Sequence, residues 1–220
     1  MIRKGFRGSS SIEFAFIVMA LVPLLLGTGA AGINLILTLQ TVQLARDAGH
    51  MYARGLDFSQ PGNQTILANV GSTLGMSATS GSGSAVVILS ALTYVDDPTC
   101  VAGGAKNSNG DADYTKCLNH GRWVFTQRLT IGNSNVRSSN FSSPSGVTIN
   151  GTTGRIAIAD YVTNTGARAT FSGVNPYTVT NNTVSGLPSG QVLYIAEAAA
   201  TAFSMPPFIA PSATYSYGLF

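Results

Sequence analysis

Residues Gly8 to Leu39 read GSSSIEFAFIVMALVPLLLGTGAAGINLILTL. From Phe14 onward almost every side chain is apolar. At 1.5 Å of rise per residue, about 20 residues cross the hydrocarbon core of a bilayer, so the run predicts a transmembrane helix with a little length to spare. Pro23 stands inside it. In water that would argue against a helix, but membrane helices tolerate proline, usually with a kink, and Pro23 is the expected kink. Gly27, Gly29 and Gly32 give the middle of the run small side chains suited to close helix packing or local unwinding.

The flanks orient this segment. Arg3, Lys4 and Arg7 precede Gly8. Twelve Lys and Arg less these three leaves nine, against nine Asp and Glu. The remainder of the chain is near neutral and carries no nucleic-acid footprint. A basic cluster beside an apolar run stays cytoplasmic, so the chain beyond the run is expected to be exported. On the other side, TLQTVQLARDAGHMYARGLDF (Thr38 to Phe58) places Leu39, Val42, Leu44, Ala45, Ala48, Met51 and Tyr52 at three- and four-residue steps, with Gln40, Gln43, Arg46, Asp47 and Arg54 filling much of the other side. That pattern predicts an amphipathic continuation of the same helix, stopping at Gly55. A helix of about 40 residues is roughly 60 Å long, half in lipid and half outside.

Beyond the helix, Gly, Ser, Thr and Asn become abundant and only 10% of all residues are charged. A short second helix is expected after Pro61, with Ile66, Leu67, Val70 and Leu74 on one face. Ser77 to Ser84 (SATSGSGS) reads as a flexible linker. Four strands are expected: Ala85 to Val95, apolar on both faces; Trp123 to Ile131, with Trp123, Phe125, Leu129 and Ile131 on one face and Thr126, Arg128 and Thr130 on the other; Arg155 to Val162; and Gln191 to Phe203, whose alanines also suit a helix. Turn-forming residues separate them. The expected fold is α+β: a long N-terminal transmembrane helix, then a small antiparallel β-sheet domain with a short helix. The divisions are a basic leader at 1–8, the helix at 9–55, the short helix and linker at 56–84, and a β-rich extracytoplasmic domain at 85–220.

Chemistry-bearing motifs are sparse. There are two cysteines, Cys100 and Cys117; an even count in an exported domain favours a disulfide, with two free thiols as the alternative and metal binding disfavoured by the lack of C-x-x-C spacing or clustered histidine. Asn107 to Asp113 spaces oxygen-bearing side chains two apart, which faintly resembles a calcium loop, but it lacks the glycine at the sixth loop position and the later Glu. A polar turn closed by the cysteines is the competing reading. His50 and His120 are the only histidines, and solvated or structural roles are expected of both. No nucleophile elbow, P-loop or H-E-x-x-H stretch occurs in the right context. The Asn-x-Ser/Thr sites at Asn63, Asn140, Asn150 and Asn181 are accounted for by composition. The reading is of a non-enzyme with no cofactor and no metal.

Glu13 carries the functional argument. A lone carboxylate at the head of an apolar helix is costly to bury and needs a positive partner. Cleavage after Gly8 would give Ser9 a free α-amine, which a neighbouring subunit could offer to Glu13 in a stacked bundle, setting the register between subunits. Gly8, then Ser9-Ser10-Ser11-Ile12-Glu13-Phe14, then an apolar helix, resembles the type IV prepilins and their pseudopilin relatives. More narrowly, the text Arg7-Gly8-Ser9 to Glu13-Phe14, with Pro23 partway down the run and the tail QTVQLARDAGHMYARG, is similar to the TadE/TadG-like minor pseudopilins of tight-adherence pilus systems. A late strand near Gln191 to Glu197 and a proline-containing close also fit. The resemblance covers about the first 55 residues. It implies cleavage between Gly8 and Ser9 by a prepilin peptidase, for which glycine supplies the uncluttered extended backbone. It also implies partnership with other pilin-like subunits, the pilus assembly machinery and membrane lipid. The expected location is the bacterial cell membrane, single-pass, with the N-terminus cytoplasmic and the C-terminal domain extracytoplasmic or in an extracellular pilus. Ser9 departs from the phenylalanine frequent at that position in type IV pilins, so methylation is not implied.

Four alternatives stay open, the least favoured being a membrane-tethered hydrolase, which would need a concave site with a perturbed acid or base. The apolar run could be an uncleaved signal anchor with Glu13 at the interface, or a conventional signal peptide cut near Thr28 to Gly32. The exported domain could act as a surface- or glycan-binding adhesin module, with Ser134 to Ser145 and Thr163 to Leu187 as contact loops.

Overall fold

The computed structural model describes residues 9–170, 179–180, 183–184, 191–206 and 209–220. The fold is α+β. Helix α1, Ser9–Ala53, runs unbroken through Pro23 for 45 residues. It ends where expected: Gly55 takes φ 87°, its amide donates to the Tyr52 carbonyl, and Leu56 N–H donates to the Met51 carbonyl. These two bonds satisfy the last carbonyls of the helix, and the left-handed residue they require is a glycine. Helix α2 follows at Pro61–Val70, with its proline at the first turn. Then come β1 (Ala85–Tyr94), α3 (Asp97–Ala102), β2 (Trp123–Gly132), α4 (Ile158–Thr163), β3 (Val179–Thr180), β4 (Thr183–Val184), β5 (Val192–Thr201) and β6 (Ala213–Leu219).

Strands β2, β1, β5 and β6 form one antiparallel sheet in that order, while β3 and β4 pair with each other. β1 lies between β2 and β5, and nine of its ten residues are buried. That explains its apolar text on both faces. The outer half of α1 lies along β5 and β6, placing Leu44, Ala45, Ala48 and Tyr52 against Val87, Leu89, Ala91, Leu129, Ile131, Ala196, Ala198 and Ala200. Alanines on β5 let the helix approach the sheet closely, which is why an alanine-rich text serves here as a strand. The opposite face carries Leu92, Phe125, Leu193 and Ile195 and is covered by Phe141 and Ile156.

Four expectations are corrected. The alternation read across Trp123 to Ile131 does not hold as one face: Leu129 and Ile131 face α1, whereas Trp123 and Phe125 lie in the cluster on the other side. The pairing of β2 with β1 slips between Ala91 and Leu92, and the extra residue of this bulge is Thr126, whose hydroxyl donates to the Ala91 carbonyl; one inserted residue exchanges the faces. Arg155 to Val162 is not a strand. Arg155 and Ile156 make single bridges, to Gln127 and Ile149, and the chain then coils into α4; a run this short does not separate strand from helix. Ser77 to Ser84 is tied down rather than loose: Gly81 N–H donates to the Gly132 carbonyl, Asn133 Nδ2 to the Gly83 carbonyl and the Ser84 hydroxyl to the Leu74 carbonyl. Finally, β6 forms the sheet edge in what read only as a proline-containing close.

The outer edge of β2 is capped by a return of the chain. Arg128 N–H donates to the Gly154 carbonyl and Ile156 N–H to the Thr126 carbonyl. Gly154 takes φ 65°, and an added Cβ would lie 2.3 Å from the Arg128 carbonyl oxygen; Gly104, at φ 85°, has nothing within 4 Å. Both glycines occupy a conformation strained for other residues, but only Gly154 also meets backbone. Gly104→Ala is expected to cost about 1 kcal/mol and Gly154→Ala about 3 kcal/mol or more. Chemical denaturation of the detergent-solubilised protein, followed by the fluorescence of Trp123, checks this; equal costs would contradict the close approach.

Candidate functional site

The head of α1 is the first candidate. Gly8 lies outside the described residues. Ser9 opens the helix, and Glu13 is exposed one turn further on. The helix is long and apolar enough to cross a membrane: its most apolar 18-residue stretch has a mean hydropathy of 2.2, and only 6% of that stretch is buried. That low burial separates it from the core helix of a water-soluble fold. From Phe14 to Ile33 the helix would cover about 30 Å. The outer half is held to the sheet at four levels. Asn34 bonds the backbone of Phe203; Thr41 and Thr214 share a hydroxyl contact of 2.8 Å; the Phe220 ring lies over Gly49 and edge-on to His50; and Tyr52 donates to Gln127 Oε1 at 2.9 Å. Burial pushes the Tyr52 hydroxyl well above its ordinary pKa.

A second cluster, on the sheet face away from α1, was not anticipated. Glu197 is 1% exposed. Its carboxylate accepts from the Ser139 hydroxyl, from Asn140 N–H at 2.9 Å and from the Tyr215 hydroxyl at 2.7 Å. Arg128 Nη1 stands 3.8 Å away and donates to the Ser90 hydroxyl at 2.7 Å. Arg137 lies over the Tyr215 ring, 4.3 Å from its centroid. Burial pulls the Arg128 guanidinium below its ordinary range, and the Glu197 charge partly offsets this. Burial, and then the bond to Glu197, pushes the Tyr215 hydroxyl up. A carboxylate this enclosed and this fully bonded has no surface on which to meet a substrate. It fastens residues 139–141 to the sheet, which makes part of the contact loop expected at Ser134 to Ser145 a cover for the core. The sequence did hold a signal: Glu197 is the one charge in a long apolar run. Its partners come from β2, β6 and the loop after β2, and only the strand register and the path of that loop bring them together.

The third candidate is the end of the sheet farthest from the α1 head. Cys100 and Cys117 form a disulfide there, with Cα atoms 5.6 Å apart, inside a small core with Val95, Ala105, Val124, Val162 and Ala167. The polar loop between them closes on itself. Asn107 Oδ1 accepts from the amides of Asn109 and Asp111, and Asp113 Oδ1 accepts from the amide and hydroxyl of Thr115. Those oxygens serve turns, and among the described residues no group of three or more His, Cys, Asp or Glu is placed to hold a metal. Asp97 Oδ1 accepts from the Tyr114 hydroxyl at 3.0 Å and lies 2.9 Å from His120 Nε2, with the Tyr114 and His120 rings 4.5 Å apart. Beside them lies an open hollow of about 550 Å³, lined by Asp97, Val101, Asp111 and Tyr114 among others. Of the second expected contact loop, Thr163 to Leu187, residues 171–178, 181–182 and 185–187 lie outside the described residues.

No protein-family model, no curated protein and no solved structure matches this chain. The candidate sites therefore stand on their own geometry.

Two outcomes follow. Glu197→Ala should destabilise the protein by about 3–5 kcal/mol, because it leaves Arg128 buried beside no carboxylate; replacing both, as Glu197→Gln with Arg128→Met, should cost less than Glu197→Ala alone. Denaturation midpoints measure the difference, and a costlier double variant would contradict the pairing. Asp113 is held at about 2, below its ordinary 3.8, by the Thr115 hydroxyl first and then by Lys116. A depressed carboxylate contributes stability above its unfolded value and loses it as pH falls through its folded value. Proton-resonance shifts of Thr115 and Lys116 should hold steady above about pH 4 and reach the middle of their movement near pH 2, and Asp113→Asn should abolish that movement.

Proposed function

We propose that this chain is a membrane-anchored, pilin-like minor subunit, cut by a prepilin peptidase between Gly8 and Ser9, that assists the assembly, anchoring or capping of an adhesion pilus or related secretion fibre. It performs no catalysis of its own. The observation that carries this reading is α1. One helix is apolar and almost uncovered toward its head, bears an exposed carboxylate at Glu13, and is built into the core of the domain toward its tail. Lipid suits the bare half before assembly. The exposure continues past a bilayer's thickness, through Leu35, Ile36 and Leu39, and neighbouring helices would cover that strip.

The orientation follows from charge and redox chemistry. Arg3, Lys4 and Arg7 favour a cytoplasmic leader, and a Cys100–Cys117 disulfide suits an oxidising compartment beyond the membrane. A conventional signal-peptide cut near Thr28 to Gly32 fits less well, since it would sever α1 beside Ala30, which is 3% exposed. In the assembled state, Glu13 pairs with the α-amine of Ser9 on an adjacent subunit.

N-terminal sequencing of the membrane-extracted protein should return Ser9 as the first residue. A chain starting at Met1 or near Ala30 would end the processing claim. Glu13→Ala should still be cleaved, while its recovery in fibres should fall by about tenfold or more, the equivalent of about 1.4 kcal/mol of lost pairing.

A further inference from the structure

The unbroken apolar stretch of α1 meets its first side-chain amide at Asn34, with Leu35, Ile36 and Leu39 still exposed beyond it, and something else in the fold arrives at the level of that amide. Phe14 to Ile33 is 20 residues, or about 30 Å of helix, the depth of a hydrocarbon core. Within it the polar side chain is Thr28, whose hydroxyl is spent on the Leu24 and Leu25 carbonyls. The next polar side chain is Asn34. Its amide grips the main chain of Phe203 on both sides: Phe203 N–H donates to Asn34 Oδ1 at 2.8 Å, and Asn34 Nδ2 donates to the Phe203 carbonyl at 3.3 Å. The connection from β5 to β6 is thereby pinned one residue past the 20-residue stretch that matches a hydrocarbon core. The direction is unambiguous, because Thr41 meets Thr214 and Gly49 meets Phe220 progressively farther from that level.

The chemistry of the connection matches its position. From Ala198 to Phe220 there is no Asp, Glu, Lys, Arg or His. Phe203 and Pro206 are exposed, and Met205 and Ile209 are half-buried. Met205 and Ile209 exchange both backbone hydrogen bonds, at 3.1 and 2.8 Å, and Ala202 N–H donates to the Ser212 carbonyl at 2.9 Å. Paired backbone groups lower the penalty of entering a layer with little water. The opposite end of the sheet is built otherwise: between Asp96 and Arg122 it carries Asp97, Lys106, Asp111, Asp113, Lys116 and His120. The hairpin itself carries no charge, with Arg137 set back over Tyr215, whereas the other end of the sheet is rich in charge.

We propose that the β5–β6 hairpin, through Phe203, Met205, Pro206 and Ile209, is a second membrane contact, seated at the boundary between headgroups and acyl chains of the leaflet where α1 emerges. The contact works as an interfacial anchor, with apolar side chains entering the boundary. With α1 it fixes the domain at two points, so the strands stand steeply on the bilayer and the disulfide end projects away. The proposal rests on α1 being a membrane anchor and is independent of the pilin reading.

The test uses the full-length chain, non-reduced so that Cys100–Cys117 stays closed, in phosphatidylcholine–phosphatidylglycerol vesicles. A polarity-sensitive fluorophore is attached at Pro206→Cys, with Ala210→Cys as a second exposed site, and quenched by phospholipid bearing a nitroxide near the headgroup. Label at Leu21→Cys, read with a deep nitroxide, reports on the anchor, and label at Asn109→Cys reports on the far end. Emission from the single tryptophan, Trp123, verifies the fold of each variant. Emission at positions 206 and 210 should fall about twofold or more, as for an interfacial element, while position 109 stays unchanged. Quenching at 21 with none at 206 or 210 overturns the hairpin contact and leaves the anchor standing. No quenching at 21 removes the anchor and this proposal together.

Discussion

The apolar surface of α1 needs cover along its whole length, and the domain supplies that cover for only one half of the helix. Toward its tail, Leu44, Ala45, Ala48 and Tyr52 are buried by the sheet. Toward its head, Phe14, Phe16, Ile17 and Met19 are exposed by 60–71%, and water is a poor environment for that much contiguous hydrocarbon. The helix cannot be divided at the transition without cost, since it is continuous from Ser9 to Ala53 and Asn34 ties the transition point to the sheet. Moving the helix along its axis would therefore move the domain with it.

The sheet reflects the same demand. Its α1 side is kept low by Ala196, Ala198 and Ala200, so a helix can lie close over β5. Its other side holds a polar knot in which Glu197, Arg128, Ser139 and Tyr215 satisfy one another. A buried ion pair is weak evidence for net stability, because desolvation offsets much of the attraction. Its clearer effect is positional: the carboxylate accepts the amide of Asn140 and so holds the covering segment with Phe141 on the core. The covering segment, the sheet and the outer half of α1 are thereby bonded to one another.

Much of this architecture was legible in the sequence. The helix, its stop at Gly55, the short helix after Pro61 and the strands at Ala85, Trp123 and Gln191 were all readable, because each rests on local periodicity or a local breaker. What escaped depended on register or on distant partners. The face change in β2 comes from one extra residue, Thr126, which no alternation rule reveals. Arg155 to Val162 read as a strand because so short a run, with Ile156, Ile158 and Val162 as its large apolar residues, does not separate a strand from a helix turn such as α4. The Glu197 knot joins β2, β5, β6 and a loop, so its members were visible separately and their meeting was not. At the candidate assembly site, Glu13 stood out at once, since a carboxylate beside a long apolar run is conspicuous without any knowledge of the fold.

The most direct measurement of the central claim concerns what covers the bare half of α1 in the proposed assembly. A photo-crosslinking side chain at Leu24, which is 63% exposed, would be activated in cells with the fibre machinery present and again with it removed. The account predicts protein adducts to the N-terminal helix of a neighbouring subunit in the first case and lipid adducts alone in the second. Lipid adducts alone in both cases would contradict it.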